Sequence, residues 1–168
     1  MKLKSLEAVL TALGKKNIRY LVAGGLAVVA HGYLRFTADI DLIIDMEEKN
    51  LQKAMEVFKS LGYRPRAPVA LEEFIDPEKR RIWINDKGLT VFSLWNSIYP
   101  ATEIDLFVES PIDFEEAYSK RVGFKLAEGL EVTVIGIDDL IFLKRLAGRA
   151  KDIDDIEKLS AIKEDGEP

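Results

Sequence analysis

Cysteine is absent from this 168-residue chain, and histidine occurs once, as His31. Without cysteine the chain forms no disulfides, has no thiolate nucleophile and offers no cysteine ligands to zinc. A single histidine excludes a metal site built from several imidazoles, and a Ser-His hydrolase would have to rely on His31. We expect His31 to pack or hydrogen-bond near a helix end. The scarcity of both residue types fits chemistry that needs neither.

Long apolar runs are also missing, since none approaches the roughly 20 residues of a membrane-spanning helix, and the N-terminal segment lacks a signal-peptide core. We therefore expect a soluble, cytoplasmic protein with no membrane partner. The formal net charge of −5 argues against a broad cationic surface for nucleic acid. Basic clusters at 64–66, 79–81 and 144–151 either meet a polyanion locally or are ordinary surface charge.

Hydrophobic periodicity predicts an α/β (α+β) fold, in which a mixed β-sheet is flanked by helices and the chain ends in helices. Prolines and the segment 85–88 favour strands and loops over helices within 63–108. We expect one domain over 1–163 and a frayed tail over 164–168. The predicted elements are helix 2–14, strand 18–23, a helix starting at 26–30, strand 40–44, helix 47–61, strands or hairpins within 63–108, a short helix within 111–120, a strand pair within 124–134 and one or two helices within 137–162.

Two motifs stand close together near the N-terminus. Gly24 and Gly25 lie between a predicted strand and a predicted helix, where free backbone N–H groups attract anions. Asp39 and Asp41 open the next strand, and residues two apart on a strand point to one face about 7 Å apart. Apolar neighbours would not accept two like charges there unless a cation or solvent compensated them. Each motif alone has an ordinary explanation, but together they indicate phosphate and metal chemistry.

The segment that carries both motifs, roughly 18–44, resembles the nucleotidyltransferase superfamily with the DNA polymerase beta type fold. It is most similar to the small bacterial branch that includes abortive-infection toxins and minimal nucleotidyltransferases. The resemblance implies a third carboxylate on a later strand, and Asp105 fits because it lies in an alternating strand pattern at 103–108. Glu103, on the same strand face, competes for this role.

The resemblance also implies a substrate-binding set, which comprises Gly24, Gly25, Arg35, Thr37 and Lys144. Arginine can fork onto phosphate oxygens and a threonine hydroxyl can donate to them. The alternative for Arg35 is an ion pair with a carboxylate, and for Thr37 it is capping of the turn. Lys144 lies on a segment similar to the family's basic terminal helix near the triphosphate. Its alternative is surface charge beside a core helix.

The tripeptide Asp-Ile-Asp occurs a second time, at 152–154. There it falls within the predicted helix 137–162, where residues two apart diverge by about 200° around the axis. Two carboxylates placed in this way do not easily share one ion. We therefore interpret Asp152 and Asp154 as solvated helix surface.

The predicted function is transfer of a nucleoside monophosphate from an NTP to a hydroxyl, with Mg²⁺ or Mn²⁺ held by the catalytic carboxylates Asp39, Asp41 and Asp105. The acceptor can be an RNA end, a protein side chain or a small molecule, because fold does not fix substrate. The resembled branch suggests a toxin–antitoxin setting with a small partner protein. The alternatives are a catalytically inactive interaction module with the same fold and a nucleotide-binding regulator without turnover.

Overall fold

The computed structural model describes residues 3–166, which form seven strands, seven α-helices and one 3-10 helix. The elements, in chain order, are α1 (Leu3–Lys15), β1 (Tyr20–Val22), α2 (Gly24–Ala30), β2 (Asp39–Ile44), α3 (Glu48–Ser60), β3 (Arg64–Pro65), the 3-10 helix η1 (Leu71–Ile75), α4 (Pro77–Lys87), β4 (Val91–Trp95), β5 (Glu103–Phe107), α5 (Phe114–Ser119), β6 (Val122–Ala127), β7 (Leu130–Val134), α6 (Ile137–Ala147) and α7 (Ala150–Gly166).

The strands form one mixed sheet in the order β3-β4-β5-β2-β1-β7-β6. Two neighbouring pairs are parallel, β2 with β5 and β1 with β7, and the other pairs are antiparallel. Parallel neighbours need long crossover connections, and helices supply them here. The predicted class, a mixed sheet flanked by helices, is confirmed.

Burial alternates along the central strands at the end that carries the polar residues. On β2, Ile40 and Leu42 are fully buried while Asp39 and Asp41 are only partly buried. On β5, Ile104 and Leu106 are fully buried, and Asp105 between them points the other way. Because successive side chains on a strand point to opposite faces, the apolar set enters the core and the acidic set faces away from it.

The prediction for 63–108 was wrong about helices, because this segment contains η1 and the three-turn helix α4. Asp76 caps α4, its carboxylate accepting from the Glu78 backbone N–H at 2.8 Å, and Pro77 occupies the first turn. Gly88 ends the helix with φ +60°. Pro77 and Gly88, which were interpreted as breakers, therefore mark the start and the end of a helix.

The C-terminal segment forms two helices, and Gly148, with φ +60°, separates α6 from α7. Residues 164–166 belong to α7, and 167–168 lie outside the described residues. That the tail 164–168 frays stays a prediction. Among the described residues, no helix has the length and apolar character needed to cross a membrane.

Asp76→Ala should lower the free energy of unfolding by about 1 kcal/mol, because it leaves a backbone N–H of α4 without its cap. Asp86→Ala, which removes the same charge from an exposed position on the same helix, is the control and should change stability little. Urea denaturation of both variants measures the difference. Equal effects would show that the charge, rather than the cap, matters at residue 76.

Candidate active site

The register between two parallel strands brings the predicted carboxylates together. Asp41 on β2 lies directly beside Asp105 on β5, and Asp39 lies beside Glu103. Ser93 on the next strand, β4, lies opposite Asp105. Residues in register on neighbouring strands point to the same face of a sheet, so these side chains form one polar patch.

The glycine turn lies against this patch. Gly24 has φ +60°, and a Cβ there would lie 1.8 Å from Oδ2 of Asp41. The Ala23 backbone N–H donates to the carbonyl oxygen of Asp41 at 2.9 Å, which fixes the turn beside β2. At Gly25 a Cβ would lie 2.7 Å from Oγ1 of Thr37. Both positions therefore require glycine for close approach, and Gly24 also needs it for its backbone conformation.

Burial and neighbouring negative charges raise the pKa of two of these carboxyls. Burial, followed by the charges of Asp105 and Asp39, raises the pKa of Asp41, and the cations Lys144 and Arg149 oppose that shift. Burial and then the charge of Asp105 raise the pKa of Asp39. Like charges that repel one another across a partly buried patch are stabilised by a nearby cation.

Glu103 and Asp105 have different partners. Glu103 forms a two-pronged ion pair with Arg66, whose Nε donates to Oε2 at 2.8 Å, and this arginine lowers the pKa of Glu103. Asp105 accepts from the neutral hydroxyl of Ser93 at 2.5 Å. A carboxylate already neutralised by arginine is a weaker candidate for a cation ligand than one that is not. The geometry therefore favours Asp105 over Glu103 as the third carboxylate.

The donor chemistry of the patch fits a hard divalent cation, because Mg²⁺ and Mn²⁺ prefer carboxylate oxygens. Within residues 3–166, however, no three histidine, cysteine, aspartate or glutamate side chains are arranged so that they could hold one metal ion together. Asp39, Asp41 and Asp105 thus share a face without converging on a common point. Two of them, Asp41 and Asp105, occupy adjacent positions and line the same cavity.

This cavity has a volume of about 940 Å³, within the range of small-molecule sites. Its polar wall contains Gly24, Asp41, Asp105, Lys144 and Arg149. Its apolar wall includes Ile84, Leu89, Val91, Phe107, Leu140, Leu143 and Leu146. Asp41 and Asp105 therefore lie on the polar wall of a cavity whose other wall is apolar.

Lys144 and Arg35 meet at one buried carboxylate. The Lys144 ammonium lies 2.7 Å from Oδ2 of Asp155, and Nη1 of Arg35 lies 2.5 Å from the same oxygen. Lys144 is only 3% exposed, so its alternative interpretation as surface charge was wrong. Arg35 therefore forms an ion pair with Asp155, and an ion pair was the predicted alternative to phosphate binding for this residue. Thr37 donates to the carbonyl oxygen of Asp39 at 3.4 Å.

The second Asp-Ile-Asp is not uniformly solvated, and the interpretation of Asp152 was wrong. Asp152 is completely buried and lies 3.2 Å from the Lys144 ammonium and 2.8 Å from Nε of Arg149. Burial alone would raise its pKa, but the hydrogen bonds from Arg149 and Lys144 outweigh burial and lower it. Asp154 is exposed, as expected, and accepts from the Tyr33 hydroxyl. Helical spacing alone could not show that Lys144 on α6 packs against Asp152 on α7.

Arg149 was not identified from the sequence as a site residue. Its only signal was membership of the basic run 144–151, in which Lys144 was preferred because of the family resemblance. The position follows from tertiary structure, since Arg149 lies in the turn between α6 and α7 that borders the cavity. His31 behaves as predicted, its Nε2 hydrogen-bonding to the Ile135 carbonyl at 2.8 Å near the end of α2.

The other basic clusters have local partners. Arg66 pairs with Glu103, Lys79 with Glu73 and Arg81 with Glu78. Arg80 is buried and donates to two backbone carbonyls. These contacts match the interpretation of 64–66 and 79–81 as ordinary structural and surface charge.

A mixed sheet with acidic residues on one face of two central parallel strands, beside a glycine turn, agrees with the resemblance of the sequence to nucleotidyltransferases. Residues 1–164 match the family described as nucleotidyltransferase of unknown function (DUF6036), and the chain belongs to that family. The superfamily resemblance of the sequence is thereby confirmed. A search of curated proteins finds no match.

Solved structures share this fold at low sequence identity. The lincosamide antibiotic adenylyltransferase LnuA with bound lincomycin is 16% identical, with TM-score 0.63 over 96% of this chain and 98% of that chain. ANT(2'')-Ia in complex with adenylyl-2''-tobramycin is 16% identical, with TM-score 0.58 over 95% and 93%. TM1012 from Thermotoga maritima is 13% identical, with TM-score 0.58 over 93% and 90%.

Gly24→Ala should destabilise the fold more than Gly88→Ala. Both glycines have φ +60°, so each alanine incurs the left-handed backbone cost of about 1–2 kcal/mol. A Cβ at residue 88 meets nothing within 4 Å, whereas one at residue 24 collides with the Asp41 carboxylate. Urea denaturation compares the two free energies of unfolding, and equal losses would refute the close packing of Gly24 on Asp41.

Proposed function

We propose that the protein is a divalent-cation-dependent enzyme that transfers a nucleoside monophosphate from an NTP to an acceptor hydroxyl and releases pyrophosphate. The observation that carries this proposal is the pairing of Asp41 with Asp105 on adjacent parallel strands at the wall of a cavity. Membership of a nucleotidyltransferase family supports nucleotidyl transfer in general. The cation, the acceptor and the roles of individual residues belong to the proposal.

The reaction forms a bond between the acceptor oxygen and the α-phosphorus and breaks the bond from that phosphorus to the bridging oxygen of pyrophosphate. Asp41 and Asp105, with Asp39 on the same sheet face, are the residues that would hold Mg²⁺ or Mn²⁺, and the cation would neutralise phosphate charge and acidify the acceptor hydroxyl. Asp105, oriented by the Ser93 hydroxyl, accepts the acceptor's proton. Catalysis then rests on positioning and charge, and requires neither histidine nor cysteine.

The substrate-binding roles divide between the glycine turn and the cations. The phosphates would lie beside the turn at Gly24 and Gly25, whose backbone packs closely on the side chains of Asp41 and Thr37. Arg35 and Thr37 lie next to Gly25, since Nη2 of Arg35 is 3.4 Å from the position of a Cβ there. In this position both side chains would lie beside the bound phosphates. Arg35 would do so while its guanidinium remains paired with Asp155.

For the acceptor, we propose a small hydroxylated molecule rather than an RNA end or a protein side chain. The apolar chamber beside Asp41 and Asp105 has the size of a small-molecule site. LnuA was solved with lincomycin and ANT(2'')-Ia with adenylyl-2''-tobramycin, and both are small molecules. A toxin–antitoxin setting with a small partner protein rests only on the sequence resemblance, and co-purification with a neighbouring gene product would test it.

A second candidate is a nucleotide-binding or interaction module that keeps this fold without turnover. One observation favours it: within residues 3–166, no three acidic side chains are arranged so that they could hold one metal ion together. The two candidates differ in metal binding and in pyrophosphate release.

Asp41→Asn and Asp105→Asn should each reduce pyrophosphate release by a factor on the order of 10³, which corresponds to about 4 kcal/mol in the transition state. The amide keeps the shape of the side chain but removes the charge. Glu103→Gln is the control on the same sheet face, and it should retain most activity because Arg66 already neutralises Glu103. Full activity in Asp41→Asn, or inactivity in Glu103→Gln alone, would contradict the assigned carboxylates.

Mn²⁺ should stabilise the wild-type protein but stabilise Asp41→Asn much less. A raised folded-state pKa means that the stability from the protonated carboxyl is present at low pH and is lost as pH rises through that pKa. At neutral pH without metal, Asp41→Asn should therefore be at least as stable as the wild type. A Mn²⁺ concentration of about 100 times Kd should add roughly 2.7 kcal/mol to the free energy of unfolding of the wild type.

Thermal unfolding with and without Mn²⁺ measures these shifts, and Asp86→Asn, an exposed change on α4, is the control. That control should gain as much stability from Mn²⁺ as the wild type. If Asp41→Asn gains the same amount, the cation binds elsewhere and the metal assignment fails.

A further inference from the structure

The sheet face that carries the carboxylates becomes apolar further along β5. Phe107 follows Asp105 on the same face, roughly 7 Å along the strand. Val91 on β4 lies directly opposite Phe107, as Ser93 lies opposite Asp105. Asp105, Phe107 and Val91 line one cavity. A molecule whose hydroxyl lies at Asp105 and whose body follows the strand would therefore cover Phe107 and Val91.

Two helices supply the rest of the apolar wall. On α6, the side chains of Leu140, Leu143 and Ala147 line the cavity at spacings of three and four residues, which is one helix face. Ile84 on α4 and Leu89, just after that helix, line it as well. The strand face and these helices therefore bound one apolar chamber beside the carboxylates.

The apolar side chains of this chamber are not packed as a core is. Ile104 and Leu106, which face the core from β5, are fully buried. Leu146, in contrast, lines the cavity and is 64% exposed. Apolar surface left in water is unfavourable, and a ligand with apolar surface of its own would bury it. The half-buried side chains of the chamber are Ile84, Leu89, Val91, Phe107 and Leu143.

The charges on the cavity wall do not suit a polycationic ligand. Within the described residues 3–166, three carboxylates line the cavity, and two of them, Asp41 and Asp105, are the proposed cation ligands. The third, Glu109, is exposed. Lys144 and Arg149 add positive charge. A polycation would place ammonium groups against apolar or positive surface, where they lose hydration without gaining a partner.

We propose that the acceptor is a hydroxylated molecule with an uncharged, apolar body, and that the apolar chamber binds this body while the hydroxyl lies at Asp105. This inference rests on the proposed function, because it assumes that the hydroxyl receives a nucleoside monophosphate there. The chamber then selects the acceptor by apolar burial, and Leu146 is one of the residues that determine this specificity.

Calorimetry with butyl, hexyl and octyl β-glucoside, each below its micelle concentration and in Mg²⁺, tests the chamber. These probes share one hydroxylated head group and differ only in the length of the alkyl chain. Each methylene that enters the chamber should lower Kd roughly two- to fourfold. Tobramycin, a polyamine with several positive charges, is the opposite probe and should bind more weakly than octyl glucoside.

Leu146→Gln and Phe142→Gln form a matched pair on α6. Both side chains are apolar and largely exposed, at 64% and 49%, so neither substitution opens a core cavity. Of the two, Leu146 lines the chamber and Phe142 does not. Leu146→Gln should raise the Kd of octyl glucoside several-fold and reduce the dependence of Kd on chain length. Phe142→Gln should bind all three glucosides like the wild type.

The acceptor itself is sought by pyrophosphate release. Cell extract is partitioned between octanol and water, and each fraction is added to the wild type with Mg²⁺ and each of the four common ribonucleoside triphosphates. The octanol fraction should stimulate pyrophosphate release and the aqueous fraction should not. Leu146→Gln should raise KM for this fraction more than it lowers kcat, because the side chain binds the acceptor body and not the reacting atoms.

Stimulation by the aqueous fraction alone would overturn the inference and leave nucleotidyl transfer intact, as would tighter binding of tobramycin than of octyl glucoside. A Kd independent of chain length would also overturn it. Stimulation by neither fraction, with any triphosphate, would refute the proposed function too. A dimer in sedimentation that Leu146→Gln dissociates and Phe142→Gln does not would show that a second copy covers the chamber, and would likewise overturn the inference.

Discussion

The in-register parallel pairing of β2 with β5 is the constraint on which the site depends. It places Asp41 beside Asp105, and it does so because the apolar residues between the acidic ones enter the core. A one-residue slip would reverse both faces and bury the carboxylates. Gly24 depends on the same pairing, since its backbone lies where any side chain would collide with Asp41. The same alternation of apolar and acidic residues along β2 and β5 therefore specifies both the packing of the sheet and the position of the carboxylates.

The charge on that face requires compensation. Burial and mutual repulsion raise the pKa of Asp41, whereas Lys144 and Arg149, on the same polar wall of the cavity, oppose the shift. These cations are in turn held by buried carboxylates on α7. Acidic and basic groups therefore share the polar wall of the cavity, which suits the proposed binding of a polyanionic substrate together with a divalent cation.

Local patterns sufficed for β1, β2, β5 and the β6–β7 hairpin. On β2 and β5 the alternation of apolar and acidic residues also identified the sheet face that carries Asp41, because period-2 alternation reports directly on burial. The α4 helix was missed because Pro77 and Gly88 were weighed as breakers instead of as its first turn and its end. Asp152 was misassigned for a different reason. Its burial depends on how α7 packs against Lys144 on α6, and no spacing within one helix contains that information. Arg149 was missed for the same reason, because its position beside the cavity depends on tertiary structure.

The most direct test of nucleotidyl transfer uses NTPs labelled either at the α- or at the γ-phosphate, incubated with the protein, Mg²⁺ and a mixture of small hydroxylated molecules from cell extract. The account predicts that the α-label appears on a new small-molecule product while the γ-label leaves as pyrophosphate, and that Asp41→Asn abolishes both. Transfer of the γ-label to a product, or binding of NTP with no release of pyrophosphate under any acceptor, would contradict it.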